Sequence, residues 1–127
     1  SSVADVIEHY VPAKQSFSES ELYTILVSLM RALAYLHQLK IIHRDVKADN
    51  LLINTRGAVR LADFGVSGQM AGPMTSMVGT PAFIAPEVVG ANPNDVNGYD
   101  IKVDIWAAGI TAIECADLVA PYDGVNP

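Results

Sequence analysis

At 127 residues and 50% hydrophobic, the chain makes one domain or less, yet it is apolar enough to bury a core. A net charge of -6 and a pI near 4.8 provide no basic footprint for nucleic acid. One cysteine, Cys115, excludes an internal disulfide and fits a reducing compartment, where a small buried apolar side chain is the expected role.

Ser2 with Asp5 three residues on, followed by Val3, Val6, Ile7 and Tyr10 at helical spacing, predicts a short capped helix that Pro12 brings to an end. Ser18 and Glu21 make a second capping box. Leu22, Ile25, Leu26, Leu29, Leu33 and Leu36 then recur every three or four residues, predicting a long helix that runs up to Leu39. Its apolar stripe is expected to face the interior while Glu19, Ser20 and Arg31 face water. His37, near its end, suits the negative end of the helix dipole.

The apolar runs Ile41-Ile42 and Leu51-Leu52-Ile53 bracket a polar stretch, His43-Arg44-Asp45-Val46-Lys47-Ala48-Asp49-Asn50. Two short strands pinning the ends of such a loop hold its polar groups still at the edge of a core. Leu51–Ile53 and 58–61 flank Asn54-Thr-Arg-Gly57, a hairpin whose glycine can take positive φ. Residues 63–87 are rich in Gly, Pro, Met, Ser and Thr, lack Lys and Arg, and show neither helical nor strand period, so they predict a mobile loop. Residues 88–100 continue as loop. From Ile101 to Ala116 the sequence is apolar nearly all round, which predicts a buried helix too short for a bilayer. Asp104 at its start would be a costly buried charge unless it accepts hydrogen bonds. The longest apolar stretches are broken by Ser28 and Arg31, or by Asp104 and Glu114, and no signal peptide is visible, so a soluble, cytoplasmic protein without membrane contact is expected.

The loop matches the protein-kinase signature of His-Arg-Asp followed by Asn five residues after the Asp, with Val46 in the usual Leu place. Asp63-Phe64-Gly65, Gly79-Thr80-Pro81, Ala85-Pro86-Glu87 and Asp104-Ile105-Trp106 with Gly109 follow in order. On these motifs the chain resembles a eukaryotic-type protein kinase, and Lys47, two residues after Asp45, resembles the serine/threonine class. Asp63-Phe-Gly-Val-Ser-Gly-Gln69, and later Tyr99-Asp-Ile-Lys-Val-Asp-Ile-Trp106 with Gly109-Ile-Thr-Ala-Ile-Glu114, are similar to the Ste20-like branch.

The resemblance implies a mainly α fold with short β hairpins, a partial C-terminal lobe of a kinase catalytic domain over residues 1–127. It implies ATP and Mg²⁺ as cofactors and a protein substrate. Asp45 would orient the substrate hydroxyl and accept its proton. Asn50 and Asp63 would ligate Mg²⁺, Lys47 would sit over the transferred phosphate, and Leu52 would lie beneath adenine, a place compatible with the plainer role of an apolar strand residue in a core. Ser2 would lie near the ribose, with a simple N-cap as the plainer role. The carboxylates of Asp45 and Asp63 would repel at one site, so bound metal is expected to stabilise the pair. Thr80 would contact Asp45 and Lys47 within the substrate-binding loop.

His43 is expected to pack in the core beside Phe64 without acid–base work. Arg44 would clamp a phosphate added to the activation segment, at Ser76 or Thr75, by an upstream kinase or by trans-autophosphorylation. Glu87 would be structural, and Asp104 would hold the backbone of the catalytic loop. The glycine-rich phosphate loop, the strand lysine and its glutamate partner have no counterpart here, nor has the arginine that pairs with Glu87 in the family. The chain, which opens at Ser1-Ser2 and ends at Gly124-Val-Asn-Pro127, is therefore expected to be a piece of a longer kinase and inactive alone. The rival from another class is a pseudokinase or scaffold lobe that binds partners without catalysis; a tyrosine kinase fits less well with Lys47 and Thr80.

Overall fold

The three helices foreseen in the sequence form, and two of them start on the capping boxes read there. The computed structural model describes residues 1–62, 68–69, 79–89 and 99–124. Helix α1 covers Val3–Ala13, with Ser2 Oγ accepting from the Asp5 amide at 3.1 Å and Asp5 Oδ2 accepting from the Ser2 amide at 2.9 Å. Such a reciprocal cap satisfies two amides that a helix start leaves open, and a good N-cap is worth about 1 kcal/mol. Pro12 does not stop this helix; it lies inside the last turn. There its missing N–H forfeits only one bond, and the chain leaves the helix two residues later through left-handed Lys14 (φ 54°), whose amide reaches the carbonyls of Tyr10 and Val11.

Helix α2, Glu19–Gln38, begins on the Ser18/Glu21 box, with distances of 3.1 and 2.8 Å. Ile25, Leu29, Leu33 and Leu36 are its buried stripe, as the spacing predicts. Leu26 departs from that stripe. It is only partly buried and lines a shallow apolar depression on the outer side with Val27, Met30 and Ala34.

The short strands β1 (Ile41–Ile42), β2 (Leu51–Ile53) and β3 (Val59–Leu61) follow. Strands β2 and β3 form the expected antiparallel hairpin, with Leu51 opposite Leu61 and Ile53 opposite Val59. Asn54 Oδ1 closes the turn by accepting from the amides of Arg56 (2.9 Å) and Ala58 (3.0 Å), and Gly57 takes φ +81°. Strand β1 pairs elsewhere, with β4 (Gly68–Gln69), antiparallel. This corrects the expectation of unbroken loop after Asp63: a two-residue strand is too short to show a period in sequence.

Helix α3 spans Lys102–Asp117. Its buried residues are Val103, Asp104, Ala107, Ala108, Ile110, Thr111 and Cys115, whereas Ile105, Trp106 and Ile113 stay exposed. The helix is thus buried on one side of this chain rather than all round. Cys115 is fully buried, and burial pushes its thiol up to about 12, so it is inert as a nucleophile. Helices α2 and α3 pack on each other and α1 packs on residues 48–50 and on β2, so that side chains from all three helices join Val46, Ala48 and Leu51 in one apolar cluster. A smaller cluster joins Ile42, Ala85, Val88, Tyr99 and Val103. Among the described residues, no helix is long and apolar enough to cross a membrane.

Candidate active site

The stretch between β1 and β2 alternates. Val46 and Ala48 are fully buried in the core, while Asp45 and Lys47 between and beside them keep side chains at its edge. Two apolar anchors one residue apart force the polar neighbours outward, the period-two logic of extended backbone. A 3₁₀ turn over Ala48–Asn50, closed by the Asn50 amide on the Lys47 carbonyl (3.0 Å), then returns the chain to β2.

The first three amides of the loop are held one by one. Asp104, fully buried at the start of α3, accepts from the His43 amide on Oδ2 and from the Arg44 amide on Oδ1, both at 2.9 Å. His37 Nε2, from the end of α2, bonds the same Oδ2 at 2.8 Å. Asp104 thus bonds two backbone amides of the loop, and His37 has a partner that its position near a helix end does not reveal. The Asp45 amide donates to His43 Nδ1 at 3.1 Å, so the ring proton sits on Nε2, which donates to the Ala62 carbonyl at 2.7 Å. Both ring nitrogens are committed to backbone, which makes His43 a fully buried brace.

These bonds hold Arg44 at φ +71°, a left-handed conformation costly for a side chain with a Cβ. Its guanidinium Nη1 donates to the Tyr99 hydroxyl at 3.3 Å. The Arg44 carbonyl is approached by Gly79, at φ +115°, where any Cβ would stand 2.7 Å from that oxygen. Only glycine passes here, and the passage delivers the next residue, Thr80, to the loop.

Three sequence-predicted residues converge on the carboxylate of a fourth, Asp45. Thr80 Oγ1 donates to Asp45 Oδ1 at 2.7 Å. Asn50 Nδ2 donates to the Asp45 carbonyl at 2.7 Å and approaches Oδ2 at 3.4 Å. Lys47 Nζ lies 3.9 Å from Oδ2, with both side chains only partly exposed. Thr80 and Lys47 thus meet through Asp45, on its two different oxygens. A carboxylate so placed can accept a proton and has a cation beside it to steady neighbouring negative charge.

The remaining candidates divide. Leu52 is not core: it is 46% exposed on β2, bridged antiparallel to Ser2, which serves as the α1 N-cap and is itself buried. A strand residue pairs along the sheet with either face outward, so the apolar run could not tell which side Leu52 presents. Glu87 is exposed. Asp63, Phe64, Thr75 and Ser76 lie outside the described residues. Among the described residues no group of three or more His, Cys, Asp or Glu is arranged to hold a metal.

Glu114 has no role assigned from the sequence, yet it reaches the loop. From α3 its Oε1 accepts from the Ala48 amide at 2.9 Å. Burial raises its carboxyl above the ordinary value, an effect opposed by the Ala48 hydrogen bond. An acid flanked by Ile113 and Cys115 in a largely apolar helix is the signal that the sequence offers for it.

Residues 2–126 match the family model described as protein kinase domain. The chain is 43% identical over 129 aligned residues to serine/threonine-protein kinase cst-1 of Caenorhabditis briggsae, and 43% identical over 129 to that of Caenorhabditis elegans. Each match covers 99% of this chain and 24% of the relative, so the chain spans about a quarter of the length of these curated relatives.

Proposed function

The chain belongs to the protein kinase domain family, and from that premise we propose that it carries the catalytic loop of a longer, Ste20-like serine/threonine protein kinase. The reaction is transfer of the terminal phosphate of ATP to hydroxyls of protein substrates. The observation that supports this most is the Asp45 carboxylate, with Thr80 on one oxygen and Lys47 and Asn50 beside the other.

Phosphoryl transfer needs in-line positioning and cations more than covalent help from the protein. Asp45 orients the substrate hydroxyl; as its oxygen bonds to phosphorus and the bridge to the β-phosphate breaks, the hydroxyl proton passes to the carboxylate. Lys47 faces the transferred phosphate as a point charge. Thr80 fixes the rotamer of Asp45 and links it to the loop that receives the substrate. Asn50 commits its amide nitrogen to Asp45, which leaves its side-chain oxygen as a donor suited to Mg²⁺, with Asp63 as the second ligand by resemblance. Bound magnesium supplies charge neutralisation at the phosphates.

The family's glycine-rich loop and strand lysine are assigned to the part of the protein beyond this segment. Arg44 is assigned to clamp a phosphate on Ser76 or Thr75. The sparse cysteine content fits a cytoplasmic setting.

The test is to incubate the full-length protein with γ-labelled ATP, Mg²⁺ and a peptide library bearing serine, threonine and tyrosine, then identify the labelled residue. Label on serine or threonine supports the reading. Tyrosine label, or nucleotide binding without any transfer, would overturn it, and the second outcome favours the scaffold alternative.

A further inference from the structure

The peptide unit that joins Lys47 to Ala48 is gripped at both of its polar atoms. Its carbonyl, from Lys47, accepts from the Asn50 amide at 3.0 Å, and its N–H, from Ala48, donates to Glu114 Oε1 at 2.9 Å. Lys47 is held extended at φ -168°, ψ 167° between fully buried Val46 and Ala48. Fixing that peptide plane fixes the last backbone dihedral of Lys47 and therefore the direction in which its side chain leaves the loop.

Both ends of the loop are thus tied to one helix. Asp104 takes the amides of His43 and Arg44, and Glu114, ten residues further along α3 and so about 15 Å up the axis, takes that of Ala48. The segment Asp45–Lys47 hangs between these two points.

A carboxylate is an expensive way to fill this position. Burial opposes its charge, and Asp49 and Asp123 add repulsion that Lys47 and the Ala48 amide only offset. An apolar residue would suit a place between Ile113 and Cys115 better, so the position is used for what only an acceptor can do.

We propose that Glu114 is a positioning residue for the phosphoryl transfer, acting through the Ala48 amide to set Lys47 beside Asp45. The inference rests on the function proposed above. Two variants separate reach from charge: Glu114→Gln keeps an oxygen at the same distance without the charge, and Glu114→Asp keeps the charge but draws the oxygen back by one methylene.

In the full-length protein, hydrogen exchange of the segment 46–50 and peptide kinetics at saturating ATP are measured for both. Glu114→Asp is expected to speed exchange of that segment and to lower kcat about tenfold, the scale of a lost hydrogen bond, with the peptide KM little changed. Glu114→Gln is expected to keep both close to the parent. The proposal is overturned if Glu114→Asp leaves the exchange unchanged. It is equally overturned if Glu114→Gln is the impaired variant through a higher KM for peptides with basic residues, which would make Glu114 a reader of substrate charge. Should the parent transfer no phosphate at all, the proposed function fails by itself, while the exchange comparison still decides whether Glu114 anchors Ala48.

Discussion

Thr80 Oγ1 lies 2.7 Å from Asp45 Oδ1, joining two residues 35 positions apart in the chain. The bond ties the loop that follows Gly79 to the carboxylate around which Lys47 and Asn50 gather. Thr80→Val keeps the shape and removes the donor, so it is expected to lower kcat of the full-length protein about tenfold or more, while Thr80→Ser, which retains the hydroxyl, keeps most of it. Steady-state kinetics of the two variants checks this, and an active Thr80→Val would remove the bond from the account.

Gly79 makes that contact possible. Its φ of +115° disfavours any Cβ, and an added one would meet the Arg44 carbonyl at 2.7 Å. Backbone cannot yield as a flexible side chain does, so Gly79→Ala is expected to destabilise by about 1–3 kcal/mol and to separate Thr80 from Asp45. Denaturant melts beside kinetics of the same variant would show both effects together. A variant that loses neither stability nor activity would contradict the close passage.

Asp104 accepts three hydrogen bonds with no exposure to solvent. Asp104→Ala strands the amides of His43 and Arg44 and the ring nitrogen of His37. It is expected to cost about 3–5 kcal/mol, the range for removing one partner from a buried charged network. Asp104→Asn, which still offers one oxygen, should fall between. Urea unfolding of the three proteins gives the order directly, and equal midpoints would refute it.

Burial holds the Glu114 carboxyl above its ordinary 4.5. The folded state therefore binds a proton more readily than the unfolded chain, and the stability linked to this group is full below 4.5 and is lost as pH rises through the raised folded value. The stability of the parent relative to Glu114→Gln is expected to fall as pH rises from 4.5 across that window. Unfolding midpoints of the pair at several pH values measure it, and a flat or rising difference would show that the carboxyl is not perturbed by burial.

Much of the site was legible because its parts carry local signatures. Asp45, Lys47 and Asn50 sit in one short motif, and Ser2 and Ser18 announce their helices by capping boxes that the structure reproduces. Thr80 was placed against Asp45 through the resemblance and is found there. What stayed hidden is what single polar residues do at a distance. His37 and Glu114 reach their partners across 67 and 66 residues, with no repeated spacing to mark either. The outward face of Leu52 escaped for a related reason: a three-residue strand carries too little alternation to say which side is core. The pairing of Gly68–Gln69 with β1 is equally silent, since it depends on backbone alone.

The central claim is that Asp45 receives the hydroxyl proton during transfer from ATP. Asp45→Asn keeps the size of the side chain and a hydrogen-bonding partner for Thr80, and it removes the base. With nucleotide affinity and phosphoryl transfer measured on the same full-length preparation, the variant is expected to bind ATP like the parent and to lose at least about a hundredfold in transfer rate, the scale of general-base catalysis. Ordinary turnover by Asp45→Asn would contradict the account.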